Sequence, residues 1–348
     1  MASFAQASRA DELYAILEKY APVISAGMRK AWEQGKLKVK LSELERLIKE
    51  NRIDEAVALV MDGANPLFQE QAEESLRTTF IAAAEWAWKK DIPKASISVF
   101  RSVFDKLNPK TIDAMRANEL RMINSVGIDT RDGLKQVLLN QLKDGMGPRQ
   151  AARFIRDEPG FGLTASQEAT VQRYKEFLST VHEKRTLASL GIGMKRSLAV
   201  DAQGKPIDGI DKWRLRDMRF DRTLSRAQRE SKALTKEQID AQVTAYRRQF
   251  IKLRSETIAR TESISAGASG SREAWRQMVA SGVYPNGIRR YWFTALAGDR
   301  VCPYCKAIEH MNKDGRGLDE PFMTEAGDAV DNPPAHPACR CVVFIKGQ

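Results

Sequence analysis

The four cysteines of this 348-residue chain lie in two tight pairs near its C-terminal end. Cys302 and Cys305 form a Cys-x-x-Cys turn, and Cys339 and Cys341 flank a single arginine. A Cys-x-x-Cys turn can place two thiolates on one zinc ion, and a second pair further along the chain can complete a tetrahedral shell. The pattern therefore predicts a structural Zn²⁺ bound by the four cysteines. His336 is the alternative ligand, because the second pair is so short that one of its sulfurs can point away.

Two other uses of the cysteines are less favoured. Disulfides suit a secreted protein, but the first residues carry charges at Arg9, Asp11 and Glu12 and lack the apolar core of a signal peptide. A thioredoxin-like redox pair requires a Cys-x-x-Cys turn that opens a helix within a βαβ unit, and the surrounding sequence has no such alternation. Thiolate ligands also favour zinc over magnesium or calcium.

The composition indicates a helical or globular chain with an acidic partner. Lys and Arg number 56 against 45 Asp and Glu, which gives a net charge of +11. This excess favours binding to nucleic acid or to an acidic protein surface. No apolar run approaches the ~20 residues that a membrane-spanning helix requires. A membrane is therefore not among the expected partners.

Much of the positive charge lies in residues 212–236, which contain nine basic and three acidic residues. Such a segment can be a solvated helix face or linker, or it can contact nucleic-acid phosphates without sequence specificity. We keep both interpretations. The candidate phosphate contacts are Lys212, Arg214, Arg216, Arg219, Arg222, Arg226 and Arg229.

Residues from about 10 to 181 indicate a succession of helices, because apolar residues recur every three or four positions. Helix starts are predicted at Pro66, Pro93, Pro109 and Pro148. Thr164 and the glutamine three residues later have the spacing of a capping box. The sequence therefore predicts an N-terminal helical array.

A second capping box, at Thr235 and Gln238, opens the most regular segment of the chain. Its apolar stripe consists of Ile239, Val243, Tyr246, Phe250, Leu253 and Thr257. This spacing predicts a long helix with one buried face. A core-facing helix is favoured over a coiled coil between copies, because the pattern fades near Gly267 and Gly270.

The last part of the chain predicts two short strands, at residues 289–294 and 341–345, which we expect to pair. Pairing would bring the two cysteine pairs together. The acidic, glycine-rich spacer at 311–332 is predicted to be an exposed loop. The expected fold is mainly α, with an N-terminal helical array, a long helix and a small α+β C-terminal module whose short antiparallel sheet is held together by zinc. The predicted domains are residues 1–185, a basic linker or arm at 186–234, and residues 235–348.

Three stretches in order along the chain carry a family resemblance. Residues 256–262 are Glu-Thr-Ile-Ala-Arg-Thr-Glu, followed by small residues and Trp275. Residues 291–305 contain an aromatic strand, an Asp-Arg turn and the first cysteine pair, and residues 333–341 combine prolines, His-Pro and Cys-Arg-Cys. Together they resemble the phage head morphogenesis family, the minor head proteins similar to protein F of phage Mu. Residues 161–164, Phe-Gly-Leu-Thr, also resemble the stretch that often precedes the family domain.

The resemblance implies a virion component and not an enzyme. Such a protein lies in low copy inside the head beside the portal, after assembly in the host cytoplasm, and acts in capsid assembly, genome packaging or DNA ejection. The implied partners are the portal protein, capsid or scaffolding proteins and packaged DNA. The motif residues are Arg260, Thr261, Glu262, Trp292, Asp299 and Arg300.

The helix motif itself predicts a structural role. Adjacent residues on a helix point about 100° apart, so Thr261 and Glu262 do not form a catalytic pair. We expect Arg260 or Glu262 to hold the helix against residues 291–305. The chain departs from the family after the first cysteine pair, where Ala-Ile-Glu-His replaces a Leu-Asp-Gly-like turn and makes His310 either a surface residue or an alternative ligand.

Two other functions stay open. A metal-dependent nuclease would use His336 or His310 with Asp299 or Asp331 around zinc or magnesium. Four thiolates would close that metal shell, and no set of nucleophile, base and orienting residue is identifiable. A zinc-stabilised DNA-binding regulator fits the charge, but no recognition helix stands out.

Overall fold

A computed structural model describes residues 4–93, 96, 103–157, 161–183, 213–294, 302–337 and 339–348. The helices are α1 (Phe4–Leu37), α2 (Leu41–Lys49), α3 (Ile53–Asp91), α4 (Pro109–Lys143), α5 (Pro148–Asp157), α6 (Ala165–Thr180), α7 (Asp221–Glu230), α8 (Lys236–Ala280) and α9 (Pro303–Met311). A 3-10 turn, Met218–Phe220, precedes α7. Lys212, Asp299, Arg300 and most of the predicted linker lie outside the described residues. Within the described residues, no helix is long and apolar enough to cross a membrane.

Local chemistry sets several of the helix boundaries. Both predicted capping boxes are confirmed: the Thr164 hydroxyl accepts from the Gln167 N–H at 3.2 Å, and the Gln167 side chain accepts from the Thr164 N–H at 3.0 Å. The same reciprocal pair joins Thr235 and Gln238. The predicted helix start at Pro66 is wrong, because α3 continues through it. Pro66 is exposed, so water can solvate the carbonyl that loses its backbone donor.

The buried face of α8 is more polar than its apolar stripe predicts. Val243 and Tyr246 are buried, but Leu253 is 44% exposed. Arg247 occupies part of the buried face, where its guanidinium donates to the buried Glu168 carboxylate of α6 at 2.6 Å. A buried arginine is tolerated there because the carboxylate pairs with it.

The chain forms two compact units, each built from separated segments. One contains Met1–Lys30, Leu67–Ser125 and Ser255–Gln348, and the other contains Ala31–Pro66 and Val126–Arg254. Helix α8 therefore contributes residues to both. The domain boundaries predicted at 185 and 234 stay a prediction, because units made of separated segments do not show where a continuous domain begins or ends.

The first unit contains the predicted sheet. Its strands are β1 (Ile288–Thr294), β2 (Arg316–Gly317), β3 (Phe322–Met323), β4 (Ala329–Val330) and β5 (Cys341–Gly347). The predicted pairing of the two longer strands is confirmed: β1 is central, antiparallel to both β2 and β5. Trp292 lies opposite Val343, and Thr294 lies opposite Cys341. The register therefore sets the first residue of β5 beside the last residue of β1.

The spacer between the cysteine pairs is not simply an exposed loop, which corrects the sequence interpretation. Arg290 of β1 is fully buried and donates to the carbonyls of Gly317, Glu320 and Asp331 and to the side chain of Asn332. Its guanidinium also lies 4.8 Å from the ring centre of the fully buried Phe322. These bonds fold the spacer onto the sheet around one cation.

Two further contacts place β5 within the first unit. Side chains of α1 and α8, including Leu13, Ile264 and Trp275, line a small cavity together with Cys341, Val342 and Val343. Arg9 of α1 lies 5.2 Å from the ring centre of Phe344. Strand β5 therefore packs on α1 and α8, two helices that lie far apart in the sequence.

Gly270 lets α8 approach α3 closely, and we predict that it cannot be enlarged. A Cβ at this position would overlap the Phe80 carbonyl oxygen, so Gly270→Ala should destabilise the protein by about 1–3 kcal/mol. Gly127, inside α4, is the matched control, because a Cβ there meets nothing within 4 Å. Gly127→Ala should be stabilising by up to ~1 kcal/mol through helix propensity. Urea denaturation of both variants measures the difference, and equal effects would contradict the close approach.

Candidate metal centre

The first cysteine pair is positioned by the start of α9. Cys302 is the N-cap residue, and Pro303 follows it at the first helical position. The Cys302 sulfur accepts from the Cys305 N–H at 3.3 Å. A thiolate at a helix N-terminus is stabilised by the unpaired N–H groups and the helix dipole. Cys305, one turn further, is buried.

The second pair is positioned by a turn and a strand. The Cys339 N–H donates to the His336 carbonyl at 3.1 Å, and Cys341 opens β5. Because β5 pairs with β1, this turn returns to the start of α9. All four cysteines are free thiols.

The ligand atoms form two overlapping groups that could hold a metal ion. Cys302, Cys305 and His336 make one group, and Cys305, Cys339 and Cys341 make the other, with the ligand atoms of each group within 4.8 Å of one another. The Cys305 and Cys339 sulfurs are 3.8 Å apart. Two sulfurs bound tetrahedrally at ~2.3 Å from one ion would be about 3.8 Å apart. Cys305 is the residue common to both groups.

His336 has the orientation of a metal ligand. Its Nε2 lies 3.1 Å from both the Cys302 and the Cys305 sulfurs. Its Nδ1 lies 2.9 Å from the Pro337 carbonyl oxygen, which can only accept a hydrogen bond. This contact places the proton on Nδ1 and leaves the Nε2 lone pair facing the sulfurs, as in many histidine ligands.

The electrostatics favour partial ionisation of the cluster. The hydrogen bond between the Cys305 and Cys339 sulfurs raises the pKa of Cys305 and lowers the pKa of Cys339. Burial opposes ionisation of Cys302, but the Cys305 N–H and His336 outweigh it and lower its pKa. One proton is thus shared between the sulfurs of Cys305 and Cys339. A bound metal ion could take the place of that proton, since metal binding displaces thiol protons.

Two aromatic side chains surround Cys341. The Trp292 indole N–H is buried without an oxygen or nitrogen partner and lies beside the Cys341 sulfur. Cys305 and Trp292 favour the Cys341 thiolate, but the hydrogen bond with Cys339 and burial outweigh them and raise the pKa of Cys341. Burial, and next the neighbouring Cys341, raise the pKa of Tyr14, which therefore stays neutral. The thiol of Cys341 is therefore neutral without a metal, and the unsatisfied indole N–H would gain a thiolate acceptor once a bound ion displaces the thiol proton.

Comparison with known proteins gave no match to a family model, to a curated protein or to a solved structure. The metal centre therefore rests on its own donor set. That set contains four sulfurs and one imidazole nitrogen, which are soft or borderline ligands typical of zinc and other transition metals.

The structure separates other candidate ligands from this cluster. His310 is exposed at the end of α9 and belongs to neither group. The Asp331 side chain is exposed, and its carbonyl oxygen accepts from Arg290. Asp299, the other carboxylate proposed for a nuclease, lies outside the described residues.

The helix motif residues have partners other than the expected strand. Buried Glu262 accepts from Arg121 of α4 at 3.0 Å, so this ion pair joins α8 to α4 and not to β1. Burial raises the pKa of Glu262, although Arg121 opposes the shift. The Thr261 hydroxyl donates to the Thr257 carbonyl at 2.8 Å within the same helix. Arg260 instead faces Arg340, the residue between Cys339 and Cys341, across a small cavity.

The basic segment is only partly available to a ligand. Arg216 forms two hydrogen bonds with Asp221, at 2.9 and 2.8 Å, and its side chain is 8% exposed. Arg219 pairs with Asp217, and Arg226 pairs with Glu230. The exposed candidates with no ion pair among the described residues are Arg214, Arg222 and Arg229.

Proposed function

We propose that this chain is a minor head protein of a tailed phage or prophage, present in low copy and acting beside the portal in head assembly, genome packaging or DNA ejection. Its proposed partners are the portal protein, capsid or scaffolding proteins and packaged DNA. Its proposed location is the inside of the head, after a stage in the host cytoplasm. The role is structural and not catalytic.

One observation carries this proposal: the three stretches that resemble the head morphogenesis family meet around one site. Arg260 from the helix motif and Arg340 from the Cys-Arg-Cys motif line the same cavity. Trp292 from the strand motif lies beside Cys341. Motifs that merely follow one another along a chain have no reason to lie close together in the fold. Motifs of one functional domain do.

We further propose that the metal is Zn²⁺ and that it is structural. A tetrahedral zinc ion needs four ligands, and the cluster offers five: Cys302, Cys305, His336, Cys339 and Cys341. The four cysteines remain the preferred set, with His336 as the substitute. The ion would join the start of α9 to the start of β5 and thereby fix the sheet.

The basic charge supports non-specific DNA contact within the same proposal. Exposed Arg214, Arg222 and Arg229 would neutralise phosphates and release counterions. Such contacts position a protein on DNA without reading its sequence. A salt series in a gel-shift assay distinguishes this weak, sequence-independent binding from that of a specific regulator.

Purified DNA-filled particles of the phage or prophage that encodes the chain should contain it. We expect a few copies per particle, far below the major capsid protein, in quantitative mass spectrometry with portal protein as the internal reference. Empty particles purified in parallel show whether the protein leaves with the DNA. Complete absence from filled particles would contradict the virion role. Mg²⁺-dependent cleavage of plasmid DNA that His336→Ala abolishes would favour the nuclease instead.

A further inference from the structure

A cavity in the second unit lies where side chains of α4, α5, α6 and α8 meet. Its volume is about 520 Å³, within the range of roughly 300–1,000 Å³ that is typical of ligand pockets. Asp144, Gly145, Lys236 and Asp240 form part of its rim and are exposed, so the cavity opens to solvent. The space is therefore large enough for a ligand, and its lining decides which ligand it selects.

Part of this lining is apolar. Phe154 of α5 and Ile239 of α8 are half-buried, and Val243 of α8 is 4% exposed. Removing apolar surface from water is favourable in proportion to the area that is buried. The lining therefore favours a ligand that carries an apolar group.

A buried amide on α4 lines the same cavity without a partner. Gln141 is 3% exposed, and its side chain makes no hydrogen bond within the described part of the chain. Its amide oxygen and nitrogen are nevertheless not fully enclosed. Because Gln141 lines the cavity, the accessible area of the amide faces that space. An amide that offers both a donor and an acceptor is complementary to a second amide.

A buried guanidinium supplies a further donor. Arg247 is 5% exposed, and its Nε and Nη2 donate to the fully buried carboxylate of Glu168 at 3.3 and 2.6 Å. Its Nη1 has no hydrogen bond among the described residues, is not fully enclosed and belongs to a side chain of the cavity lining. The guanidinium also lies 5.2 Å from the ring centre of Phe154. The free donor therefore lies beside the apolar part of the lining.

The charges around the cavity balance. Glu168 neutralises Arg247, and Lys175 donates to Asp144 at 2.6 Å. Lys236 and Asp240 on the rim carry opposite charges. An ion would lose its hydration in this cavity without gaining an unpaired opposite charge, which is costly. The lining therefore favours an uncharged ligand.

We propose that this cavity binds a segment of a partner protein in which an apolar side chain lies beside an uncharged peptide group. The apolar side chain contacts Phe154, Ile239 and Val243. The peptide carbonyl accepts from Arg247 Nη1, and the peptide N–H donates to the Gln141 side-chain oxygen. This site goes beyond the virion role proposed above and does not depend on the metal centre.

The simplest probe with these groups is N-acetyl-leucinamide, whose binding to the full chain can be measured by saturation-transfer NMR. Saturable binding is expected. N-acetyl-leucine, in which a carboxylate replaces the terminal amide, should bind at least about threefold more weakly because the ion must be desolvated. A capped Ala-Leu-Ala peptide should bind at least as tightly as the first probe, because the cavity is open to a continuing chain.

Two variants locate the bound probe. Gln141→Leu should weaken binding by about three- to tenfold, the effect of one net hydrogen bond. Gln249→Leu is the matched control, because it removes the same amide from an exposed position of α8 outside the cavity. Val243→Phe keeps Gln141 but fills the cavity, and it should abolish binding. Unchanged circular dichroism of the variants shows that loss of binding is not loss of fold.

Each outcome supports or overturns the proposal. Saturable binding of the probe and the capped peptide, weakened by Gln141→Leu and Val243→Phe but not by Gln249→Leu, supports it. Equal or tighter binding of N-acetyl-leucine would overturn the uncharged ligand, and failure of the capped peptide to bind would overturn the partner segment. Lack of saturable binding up to the solubility limit of the probe, or unchanged binding by Val243→Phe, would overturn the site itself.

Discussion

Replacing Cys305 with serine is expected to abolish metal binding and to unfold the sheet that contains β1 and β5. Cys305 belongs to both metal-compatible groups, so its loss leaves only two ligand atoms in each of them. Structural zinc contributes about 10–16 kcal/mol of apparent binding free energy, which is as large as the whole stability of about 5–15 kcal/mol of a typical domain. Because β5 also packs on α1 and α8, unfolding of the sheet should also break the contacts between these helices and the strand.

Two measurements on purified Cys305→Ser protein test this expectation. Metal content by mass spectrometry should fall from about one ion per chain to none, and amide hydrogen exchange should become rapid in both strands. His310→Ala is the matched control, because this exposed histidine lies on the same helix outside both groups. A variant that keeps one ion and slow exchange would show that the cluster does not hold the sheet. Chelator treatment of the unaltered protein should reproduce the effect of Cys305→Ser.

Arg290→Met should destabilise the first unit by about 3–5 kcal/mol, because hydrogen bonds from a charged group contribute about 1.5–3 kcal/mol each and several are lost together. The variant removes the arginine donor from the carbonyls of Gly317, Glu320 and Asp331. Burial lowers the pKa of Arg290 to about 10. The side chain is therefore still charged at pH 7, and its loss removes charge-assisted bonds.

Arg289→Met is the control for this second variant. Arg289 lies next in the same strand but is exposed, and its contacts with the Asp314 and Gly315 carbonyls are long, at 3.4 and 3.3 Å. Thermal unfolding followed by circular dichroism should shift strongly for Arg290→Met and little for Arg289→Met. Similar shifts for the two variants would mean that the spacer does not depend on the buried cation.

Features set by neighbouring residues could be predicted from the sequence. The capping boxes at Thr164 and Thr235 and the two strands follow from short patterns whose hydrogen bonds are local. The cysteine spacing predicted the metal-compatible cluster for the same reason, because a single turn brings the two cysteines of a pair together. His336 became a candidate through its position directly before the second pair.

Features set by distant pairing could not be predicted in this way. Leu253 continues the apolar stripe but is exposed, and Arg247 lies on the buried face because it finds a buried carboxylate in another helix. Glu262 pairs with Arg121, far away in the sequence, and no local pattern specifies that partner. Arg290 had one sequence indication: strand residues alternate between faces, and it lies two positions before the buried Trp292.

The position of β5 has a genetic consequence. A stop codon at position 341 would remove the whole of β5. It would thereby remove a candidate metal ligand, the main partner of β1 and the apolar residues that contact α1 and α8. Nonsense alleles at or just before position 341 should therefore behave as nulls, and an affinity tag placed near β5 must leave the whole strand intact.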